Sequence, residues 1–572
     1  MTPITIRRLV PLLALLLSGC ATVAKVANSA NPADLVFWGG PIHTADDAWL
    51  SVEAVAIDDG RIVYVGSRRG AQARVGRGTE VIDLKGAALY PGFTDAHAHL
   101  RGIGERELTL NLEGTASVAD LQQRLRARVA QAGPDAVITG RGWIETHWPE
   151  KRFPTAADLD AVAPDNPVLL ERADGHALVA NSAALRRANI TAATRAPSGG
   201  EILKDAQGRP TGMLVDEAMT LTGSLVGEPS REDRARALRQ GHDVYSRYGW
   251  TGLHNMSVDW ADVEMIEALA QNGEYPGLRV YNAVTPQAAD RLFASGPRNV
   301  ANGRVITRSI KYYVDGALGS RGAALHAPYS DAPHTRGLLL LQPAEAQAAY
   351  RRALRAGVQV TTHAIGDRGN TLVLDWYQAA FRAVPERERR VSLPRWRIEH
   401  AQVVRPKEIG RFKDLGVIAS MQPSHAIGDL HFAPARLGMD RLVGAYAWRS
   451  MLREGVRLAG GSDAPVERGD PLIEFYAAVA RKDLKGFSGP GWKPEEALDR
   501  QSALKLFTLW PAYAAFSENE LGSISVGKRA DLTVFDIDLM TVPEAQIPKG
   551  RALMTVVDGK PAYRDTRWRP AR

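Results

Sequence analysis

Two histidines near the start of the chain have the spacing of a metal-binding pair. His97 and His99 lie two residues apart in the segment FTDAHAHL. In an extended strand, side chains two apart point to the same face, so two imidazoles can bind one metal ion there. The pair alone is a weak signal, because two nearby surface histidines give the same pattern. Other residues of the chain have to decide between these interpretations.

A lysine lies inside a segment that otherwise has the composition of a buried strand. The segment is RSIKYYVDGALGSR, residues 308–321, and it contains Lys311. Its β-branched and aromatic residues favour a strand, and the glycines that follow favour a loop. One interpretation lays the lysine stem along the sheet with its ammonium in water. The other gives Lys311 a chemical role in a buried site.

Metal-ligand side chains also end three later apolar segments. His363 lies in VTTHAIGD, His400 in RIEHAQ and Asp463 in LAGGSDAP. The chain has only 13 histidines, and each of these residues alone could be a buried, hydrogen-bonded structural side chain. Their shared position at the ends of predicted strands favours a metal site instead.

Strands and helices alternate along the middle of the chain. Helical segments such as AEAQAAYRRALRAG, which ends at a glycine, separate the apolar strands. Eight such units predict a (β/α)8 barrel, in which functional residues lie where the strands end at the carboxyl face. That face brings the strand-end residues together. The predicted core strands are 87–95, 251–256, 278–283, 308–314, 358–363, 396–400, 417–422 and 456–463.

The segments on either side of this middle region have a different pattern, with short alternating strands separated by turns. They predict one small β-sandwich built from residues 33–88 and 516–572, around a barrel domain at 89–515. The gap between the first two core strands is too long for one helix, so we predict an inserted subdomain at about 100–240. The fold class is therefore α/β, a distorted TIM barrel with a large insertion after strand 1 and a terminal β-sandwich.

The first residues are typical of an export signal. A basic start at Arg7 and Arg8 precedes an apolar run that is too short to span a bilayer. The segment LSGC resembles a bacterial lipoprotein box, which implies cleavage before Cys20 and a lipid on its sulfur. We therefore predict a signal peptide at 1–19, a tether at 20–32, and an exported protein that is lipid-anchored to a bacterial membrane and faces the periplasm. An ordinary signal peptide with an incidental cysteine is the alternative.

Composition excludes several other classes of protein. Cys20 is the one cysteine of the chain, which excludes disulfides, a cysteine zinc site and a cysteine nucleophile. The net charge is +7, yet the charges are mixed along the chain and no basic run has interleaved aromatic residues. We therefore expect no nucleic-acid partner and no membrane contact except through the lipid. A homodimer is the default expectation for the assembly.

Six motifs together resemble the amidohydrolase superfamily, and they occur in the family's order over nearly all of the mature chain. They are PGFTDAHAHL, KYYVDGALGSRGA, HAIGDRGN, RIEHAQ, GSDAPV and GSISVGKRADLTVFD. They are most similar to the family-3 branch, which includes N-substituted formamide deformylases and N-acyl amino acid hydrolases. The resemblance places Lys311 where members with two metals have a carboxylated lysine. It implies a metal site made by His97, His99, His363, His400 and Asp463.

The chemistry implied by this resemblance is hydrolysis of a carbon–nitrogen bond in a small amide-type substrate. A metal-activated hydroxide would attack the carbonyl, with Asp463 as general base and then acid. A plain ammonium at Lys311 would repel two cations, whereas a carbamate is an anion with two oxygens and could bridge them. The histidine-rich set of donors favours zinc, with one or two divalent ions per chain.

Candidates for substrate binding come from the insertion and from two further strand ends. Segments like RGWIETHWPEKRFPT and ERADGHALVANSAAL lie over the barrel mouth in related family-3 sequences. His254 in GLHNM and His425 in MQPSHAIGD end the second and seventh predicted strands. Core packing is the alternative for Trp143, and turn chemistry is the alternative for the DGH segment. The substrate candidates are Trp143, Asp174, His176, Asn181, His254 and His425.

Two other functions stay open on the sequence. The same metal site could hydrolyse a lactone or a carbamate ester, or deaminate a ring, because those reactions differ in the pocket walls rather than in the ligands. A lipid-anchored binding protein on an inactive barrel is the alternative of another class. The complete set of ligands, Asp463 included, argues against an inactive barrel.

Overall fold

The computed structural model describes residues 31–227, 229–273, 277–489 and 492–568. The predicted signal peptide and the Cys20 lipidation site lie outside these ranges, as does most of the predicted tether. Three sheets organise the described chain. Within the described residues, no helix has both the length and the apolar character needed to cross a bilayer.

The strands are numbered in chain order. They are β1 (Leu35–His43), β2 (Ser51–Asp58), β3 (Arg61–Gly66), β4 (Glu80–Asp83), β5 (Ala88–Pro91), β6 (Phe93–Ala98), β7 (Leu110–Asn111), β8 (Ile138–Trp143), β9 (Val168–Arg172), β10 (Ala177–Ala180), β11 (Gly200–Lys204), β12 (Pro210–Asp216), β13 (Trp250–Val258), β14 (Arg279–Val284), β15 (Arg298–Val300), β16 (Val305–Tyr313), β17 (Gln359–Ala364), β18 (Arg397–His400), β19 (Ile418–Met421), β20 (Leu458–Gly460), β21 (Leu532–Phe535), β22 (Ala552–Val557) and β23 (Lys560–Arg564).

The α-helices are numbered in the same way. They are α1 (Arg68–Gln72), α2 (Leu100–Leu108), α3 (Val118–Val129), α4 (Ala156–Asp160), α5 (Ser182–Arg187), α6 (Gly223–Val226), α7 (Arg231–Tyr248), α8 (Trp260–Gln271), α9 (Ala289–Ser295), α10 (Pro343–Ala356), α11 (Asp367–Ala383), α12 (Pro406–Leu415), α13 (Pro423–Asp429), α14 (Ala433–Leu437), α15 (Trp448–Arg453), α16 (Pro471–Ala480), α17 (Arg500–Leu506) and α18 (Leu509–Ala514).

Eight parallel strands form a nearly closed barrel. Their order is β6, β13, β14, β16, β17, β18, β19 and β20, and every neighbouring pair is parallel. The ends of the sheet meet through loop backbone, since the Asp463 amide donates to the His97 carbonyl over 2.6 Å. Parallel strands in this order bring their carboxyl ends to one mouth. The predicted distorted TIM barrel is confirmed.

The first predicted core strand is wrong in its extent, because residues 87–95 belong to two sheets. β5 lies in the sheet of the chain termini, and β6 starts the barrel. Gly92 separates them at a point where a Cβ atom would collide with the Thr251 side chain. Only glycine fits this close passage, and the apolar run continues on both sides of it, so hydrophobicity alone hides the break.

The termini share one sheet beside the barrel. β21 pairs with β5, and β22 and β23 extend the sheet, while β1, β2 and β3 continue it on the other side. The sheet branches at β1, which pairs with β2, β4 and β5. Apolar side chains from both ends of the chain pack into one cluster there, so each terminal segment needs the other to bury its face.

An inserted sheet lies between β6 and β13. Strands β7 to β12 form it in the order β11, β12, β10, β9, β8 and β7, and it has apolar clusters of its own. Helix α7 then returns the chain to the barrel and is capped by Gly249, whose positive φ of 106° suits a glycine. The β9–β10 turn of this sheet reaches the barrel mouth.

Candidate metal centre and its cavity

Three buried side chains at the barrel mouth have the arrangement of a metal site. One ligand atom from each of His97, His400 and Asp463 lies within 4.8 Å of the other two. His97 Nε2 is 3.3 Å from Asp463 Oδ1, and His400 Nδ1 is 4.0 Å from Asp463 Oδ2. Two imidazoles and a carboxylate form a set of donors that zinc and related divalent ions accept. The residues present therefore fit a metal ion.

Two of these ligands have unusual backbone conformations. His400 has a φ of 72° and Asp463 a φ of 63°, both in the left-handed region. Such conformations cost about 1–3 kcal/mol each for residues other than glycine, and they persist where the surrounding structure imposes them. His400 is the last residue of β18 and Asp463 lies in the loop that follows β20, so both occur where the chain leaves a barrel strand at the mouth. The fold therefore tolerates a strained backbone at these two residues, because this conformation directs their side chains into the mouth.

His99 and Lys311 adjoin this group. His99 Nε2 lies 3.1 Å from Asp463 Oδ1, and its Nδ1 lies 3.1 Å from the Met256 carbonyl oxygen. That carbonyl accepts the Nδ1 proton and so leaves Nε2 with a lone pair. Lys311 is buried, with Nζ 3.3 Å from His97 Nε2. In the described ranges, no carboxylate oxygen lies within ion-pair distance of Nζ, although buried ammonium groups are normally paired.

His363 ends β17 next to His400, with ring centroids 4.5 Å apart. Its Nε2 lies 3.5 Å from both Asp315 Oδ1 and the Gly316 carbonyl oxygen. Burial, with the nearby charge of Lys311, holds the pKa of His363 well below its usual range. Burial and His363 do the same for the pKa of His400. Both imidazoles are therefore neutral, which is the form that binds a metal.

A group of buried charged residues supports His97 from below, and we call His97, His254, Arg397 and Glu399 the Arg397 network. His97 Nδ1 lies 2.5 Å from Glu399 Oε2, so this nitrogen donates and Nε2 faces the metal site. Arg397 Nε is 2.7 Å from Glu399 Oε1, and Arg397 Nη1 is 2.7 Å from His254 Nδ1. Arg397 also donates to the Ala96 carbonyl and the Ser420 hydroxyl. Both Nη groups of the arginine thus have hydrogen-bond partners, whereas its Nε lies near Glu399 without a well-aligned hydrogen bond among the described residues.

The charges of Glu399 and Asp463 are stabilised by their neighbours. Burial favours a neutral Glu399, but Arg397 and His97 outweigh it and lower its pKa to about 2. Burial likewise opposes the charge of Asp463, but His97 and His99 hold its pKa well below the usual range. Both groups are therefore carboxylates at neutral pH, one beneath the site and one within it.

The inserted sheet contributes a second oriented histidine. His176 Nδ1 lies 2.6 Å from Asp216 Oδ1, and its ring centroid is 5.8 Å from that of His363. Burial lowers the pKa of His176, but the hydrogen bond and charge of Asp216 outweigh it, so the net shift is upward. Asp174 pairs with the buried Arg172 and accepts from the His176 amide. Asp174 and His176 therefore reach the mouth as the sequence predicts.

A cavity of about 1550 Å³ lies between the barrel mouth and the inserted sheet. The side chains of the metal site line it, together with Asp174, His176 and His425. His425 Nε2 lies 3.6 Å from Asp463 Oδ2 and 4.0 Å from Glu467 Oε1. A space of this size accommodates a small-molecule substrate beside the metal site.

Three predicted substrate contacts are corrected by the structure. Trp143 is fully buried in the core of the inserted sheet, where its Nε1 donates to the Leu170 carbonyl. Asn181 caps helix α5 by accepting from the Ala184 amide. His254 lies inside the barrel in the Arg397 network. None of these three lines the cavity. Each has a structural role instead: Trp143 packs in a core, Asn181 caps a helix and His254 contacts Arg397.

Several residues of the site have no counterpart in the sequence prediction. Glu399 and Arg397 carry a signal that could have found them, because two charged residues alternate within the buried strand RIEH. Asp216 ends β12 and holds His176, but nothing in its spacing connects it to a turn 40 residues earlier. Gln422 accepts from His400 Nδ1 over 2.9 Å after the seventh barrel strand. Glu467 lies in the same loop as Asp463, after β20, and lines the cavity.

Comparisons with known proteins agree with this geometry. The model of the amidohydrolase family matches residues 80–563. The chain is 35% identical to the protein YtcJ of Bacillus subtilis over 539 residues, which covers 92% of this chain and 99% of YtcJ. It is 28% identical to the N-substituted formamide deformylase of Arthrobacter pascens, covering 93% and 99% of the two chains.

A solved structure extends the likeness to the whole fold. A metal-dependent hydrolase from Pyrococcus horikoshii superposes with a TM-score of 0.72 at 28% identity, covering 89% of this chain and 99% of the other. The family resemblance predicted from the motifs is thereby confirmed. The chain belongs to the amidohydrolase family, and it is a metal-dependent hydrolase.

Proposed function

We propose that this hydrolase cleaves a carbon–nitrogen bond of amide type in a small molecule, such as an amide, formamide, N-acyl amino acid or cyclic imide. The observation that carries the proposal is the position of Asp463, whose carboxylate contacts His97 and His99 and borders the cavity. The family and the similar formamide deformylase support an amide-type bond. Hydrolysis of a lactone or carbamate ester, or deamination of a ring, is the competing use of the same residues.

The chain would divide the work between the metal site and the cavity rim. His97, His400 and Asp463, with His99 and His363 beside them, would hold the divalent metal, which would supply an activated water and polarise the scissile carbonyl. Asp463 starts as a carboxylate and would accept the proton of the attacking water, then pass it to the leaving nitrogen. His176, held by Asp216, would donate a hydrogen bond to the substrate from the opposite side.

We propose zinc as the metal, with two ions bridged by a carboxylated Lys311. The amine of Lys311 would add to carbon dioxide, forming one N–C bond and releasing one proton to give a carbamate. Its burial without a carboxylate neighbour supports this change, because the carbamate replaces a buried cation with an anion that metal ions pair. Metal analysis should find two zinc ions per chain, and ¹³C-bicarbonate should label wild type but not Lys311→Ala. One ion beside an unlabelled amine would contradict the bridge.

The function is tested by stripping the protein of metal, reloading it with single ions and screening four substrate classes. These are N-formyl amines, N-acyl amino acids, hydantoin-like rings and lactones. We expect amide hydrolysis only after reloading, and a fall in kcat of about 10²–10⁴ for Asp463→Asn. Asp290→Asn, on an exposed part of α9, is the matched control. Hydrolysis of lactones alone, or metal-independent turnover, would reject the proposal.

Export and lipid anchoring remain proposals that rest on the first 20 residues of the sequence. We propose that the lipid on Cys20 tethers the folded enzyme to the periplasmic side of a bacterial membrane. Fractionation of cells that express the full chain should place wild type in the membrane and Cys20→Ala in the soluble periplasm. A Cys20→Ala protein that stays in the membrane fraction would contradict it.

A further inference from the structure

One wall of the cavity is made of carboxyl groups that have no lysine or arginine partner among the described residues, and we call Asp429, Glu467 and Glu474 the acidic wall. Glu467 lies after Asp463 and packs against the end of α13, where a Cβ on Gly428 would be 3.7 Å from its Oε1. Asp429 ends α13, and Glu474 lies in α16 behind them. All three border the cavity.

The surroundings of Glu467 are acidic. In the described ranges, no lysine or arginine nitrogen lies within 4 Å of its carboxylate. The Glu467 side chain is 31% exposed, yet partial desolvation raises its pKa well above the usual range, and Asp429, Glu113 and Asp463 raise it further. Among the described residues, the Asp429 carboxylate accepts only from neutral donors, the Gln402 amide and the Tyr446 hydroxyl. Burial raises its pKa to about 7. Carboxyls grouped in this way are unfavourable without a cation.

Two buried polar groups at the same wall also lack hydrogen-bond partners. His425 is only 8% exposed, and its Nε2 has no hydrogen bond within the described chain although it faces Glu467 and Asp463. Glu474 is fully buried, and its Oε1 has no partner among the same residues. Native proteins rarely leave such atoms unsatisfied, and a functional site is one common reason.

Three arginines nearby are already engaged with other groups of the described chain. Arg172 is buried and contacts both Glu145 and Asp174. Arg141 lies 3.3 Å from Glu171. Arg106 donates to the backbone carbonyl of Glu467, not to its carboxylate. Within the described residues, no lysine or arginine pairs with Glu467 or Asp429, so a cationic ligand would supply the missing countercharge.

The wall lies close to the proposed reaction centre. The His425 ring stands between Asp463 and Glu467, with Nε2 at 3.6 Å from one carboxylate and 4.0 Å from the other. A substrate whose carbonyl lies beside Asp463 would therefore place atoms a few bonds away next to Glu467. This spacing suits a short, flexible chain between the scissile bond and a charged end.

We propose that Glu467, with Asp429 beside it, binds a protonated amine or guanidinium group of the substrate, so that the enzyme selects amides with a positive charge a few bonds from the scissile carbonyl. The proposal takes its scissile bond from the proposed function, but the cation subsite is a separate property. Glu467 would form the ion pair, and His425 would separate that charge from Asp463.

The first test uses matched substrates that differ in one terminal group. N-acetyl-1,4-diaminobutane carries an ammonium, N-pentylacetamide a methyl group and N-acetyl-5-aminopentanoate a carboxylate, with a second series bearing the groups on the acyl chain. We expect kcat/KM at least about tenfold higher for the ammonium member of one series, and loss of that preference in Glu467→Gln. Preference for the neutral or anionic member, or an unchanged preference in the variant, would overturn the proposal.

The second test measures binding without turnover. Pentylguanidinium keeps its charge, does not ligate metals and has no scissile bond. By calorimetry on the zinc-loaded enzyme, we expect it to bind, and to bind at least about tenfold more weakly to Glu467→Gln. Glu345→Gln makes the same substitution elsewhere in the cavity lining and should bind like wild type. Equal binding by all three proteins would overturn the subsite.

The two tests separate this inference from the proposed function. Glu467-dependent guanidinium binding without hydrolysis of any amide would reject the amide-bond proposal and support the cation subsite. Hydrolysis of amides without charge preference, together with Glu467-independent binding of pentylguanidinium, would support the amide-bond proposal and reject the cation subsite.

Discussion

Carboxyl groups lie on both sides of the metal site, and the two groups differ in burial and in their partners: Glu399 is fully buried, whereas the Glu467 side chain is 31% exposed. Beneath the site, Glu399 lies between Arg397 and His97 and contacts both at 3.0 Å or less. Above it, Glu467 and Asp429 border the cavity, and neither has a lysine or arginine within ion-pair distance in the described chain. The same chemical group thus occurs once with its countercharge and once without it.

The difference in partners appears directly in the pKa values of these carboxyl groups. The partners of Glu399 lower its pKa to about 2, whereas burial raises that of Asp429 to about 7. A balanced buried network can orient a metal ligand without leaving a lone charge. An unbalanced one lowers stability, and such sites are retained where a ligand supplies the missing partner. We therefore assign orientation of His97 to the first group and substrate recognition to the second.

The largest expected effect comes from unbalancing the Arg397 network. Arg397→Met removes the cation but leaves Glu399 buried, so we expect stability to fall by about 3–5 kcal/mol. Urea unfolding followed by tryptophan fluorescence measures it, on protein loaded with zinc to a fixed level. A variant as stable as wild type would show that the network contributes no charge compensation.

A double variant distinguishes charge imbalance from simple loss of packing. Arg397→Met with Glu399→Leu removes both charges, and we expect it to be more stable than Arg397→Met alone. His97 would still lack its acceptor, so zinc affinity should stay low in the double variant. If the two substitutions merely add their losses of stability, the contrast between balanced and unbalanced carboxyls fails.

Glu399→Gln should affect metal binding more than folding. The glutamine oxygen can still accept from His97 Nδ1, but it lacks the charge that strengthens this hydrogen bond. We expect zinc affinity to fall about 10–100-fold, measured by competition with a chromophoric chelator. Glu408→Gln, on helix α12 away from the site, is a matched control. Unchanged zinc affinity in Glu399→Gln would remove the orienting role of this carboxylate.

The sequence predicts the balanced half of this comparison better than the unbalanced half. Strand periodicity locates the barrel, and strand ends locate His97, His363 and His400, because one face of a parallel barrel collects them. The sequence prediction does not include Arg397 and Glu399, although their charges alternate within the buried strand RIEH and could have revealed them. The boundary between β5 and β6 at Gly92 cannot be seen in the sequence, because it depends on the close approach of Thr251 from another strand.

Side-chain direction in the insertion cannot be predicted from residue type. Trp143 and Asn181 have the chemistry of substrate contacts, but one fills a core and the other caps a helix. Asp174 and His176 lie in the turn between two strands of the same sheet and reach the cavity. The acidic wall combines α13, α16 and the loop after β20, so only the tertiary fold brings its carboxyls together.

The smallest expected effect is on the pH dependence of stability, and its sign differs between the two groups. The pKa of Glu467 is raised on folding above 4.5. Between pH 4.5 and the folded pKa, the folded state therefore binds more protons than the unfolded state. Stability then falls as pH rises from about 4.5 through the folded pKa. Glu467→Gln has no such proton, so it should match wild type near pH 4 and melt at a higher temperature near pH 8.

Glu399 supplies the opposite case within the same molecule. Its pKa is lowered to about 2 on folding, so its contribution is present above the unfolded value and is lost only as pH falls through the acid range. The difference in Tm between wild type and Glu399→Gln should therefore stay constant from about pH 6 to pH 8, whereas the difference for Glu467→Gln grows. Scanning calorimetry of the three proteins over this range measures both slopes. Parallel slopes for Glu467→Gln and wild type would mean that Glu467 is already balanced, and pentylguanidinium should then raise the Tm of neither protein.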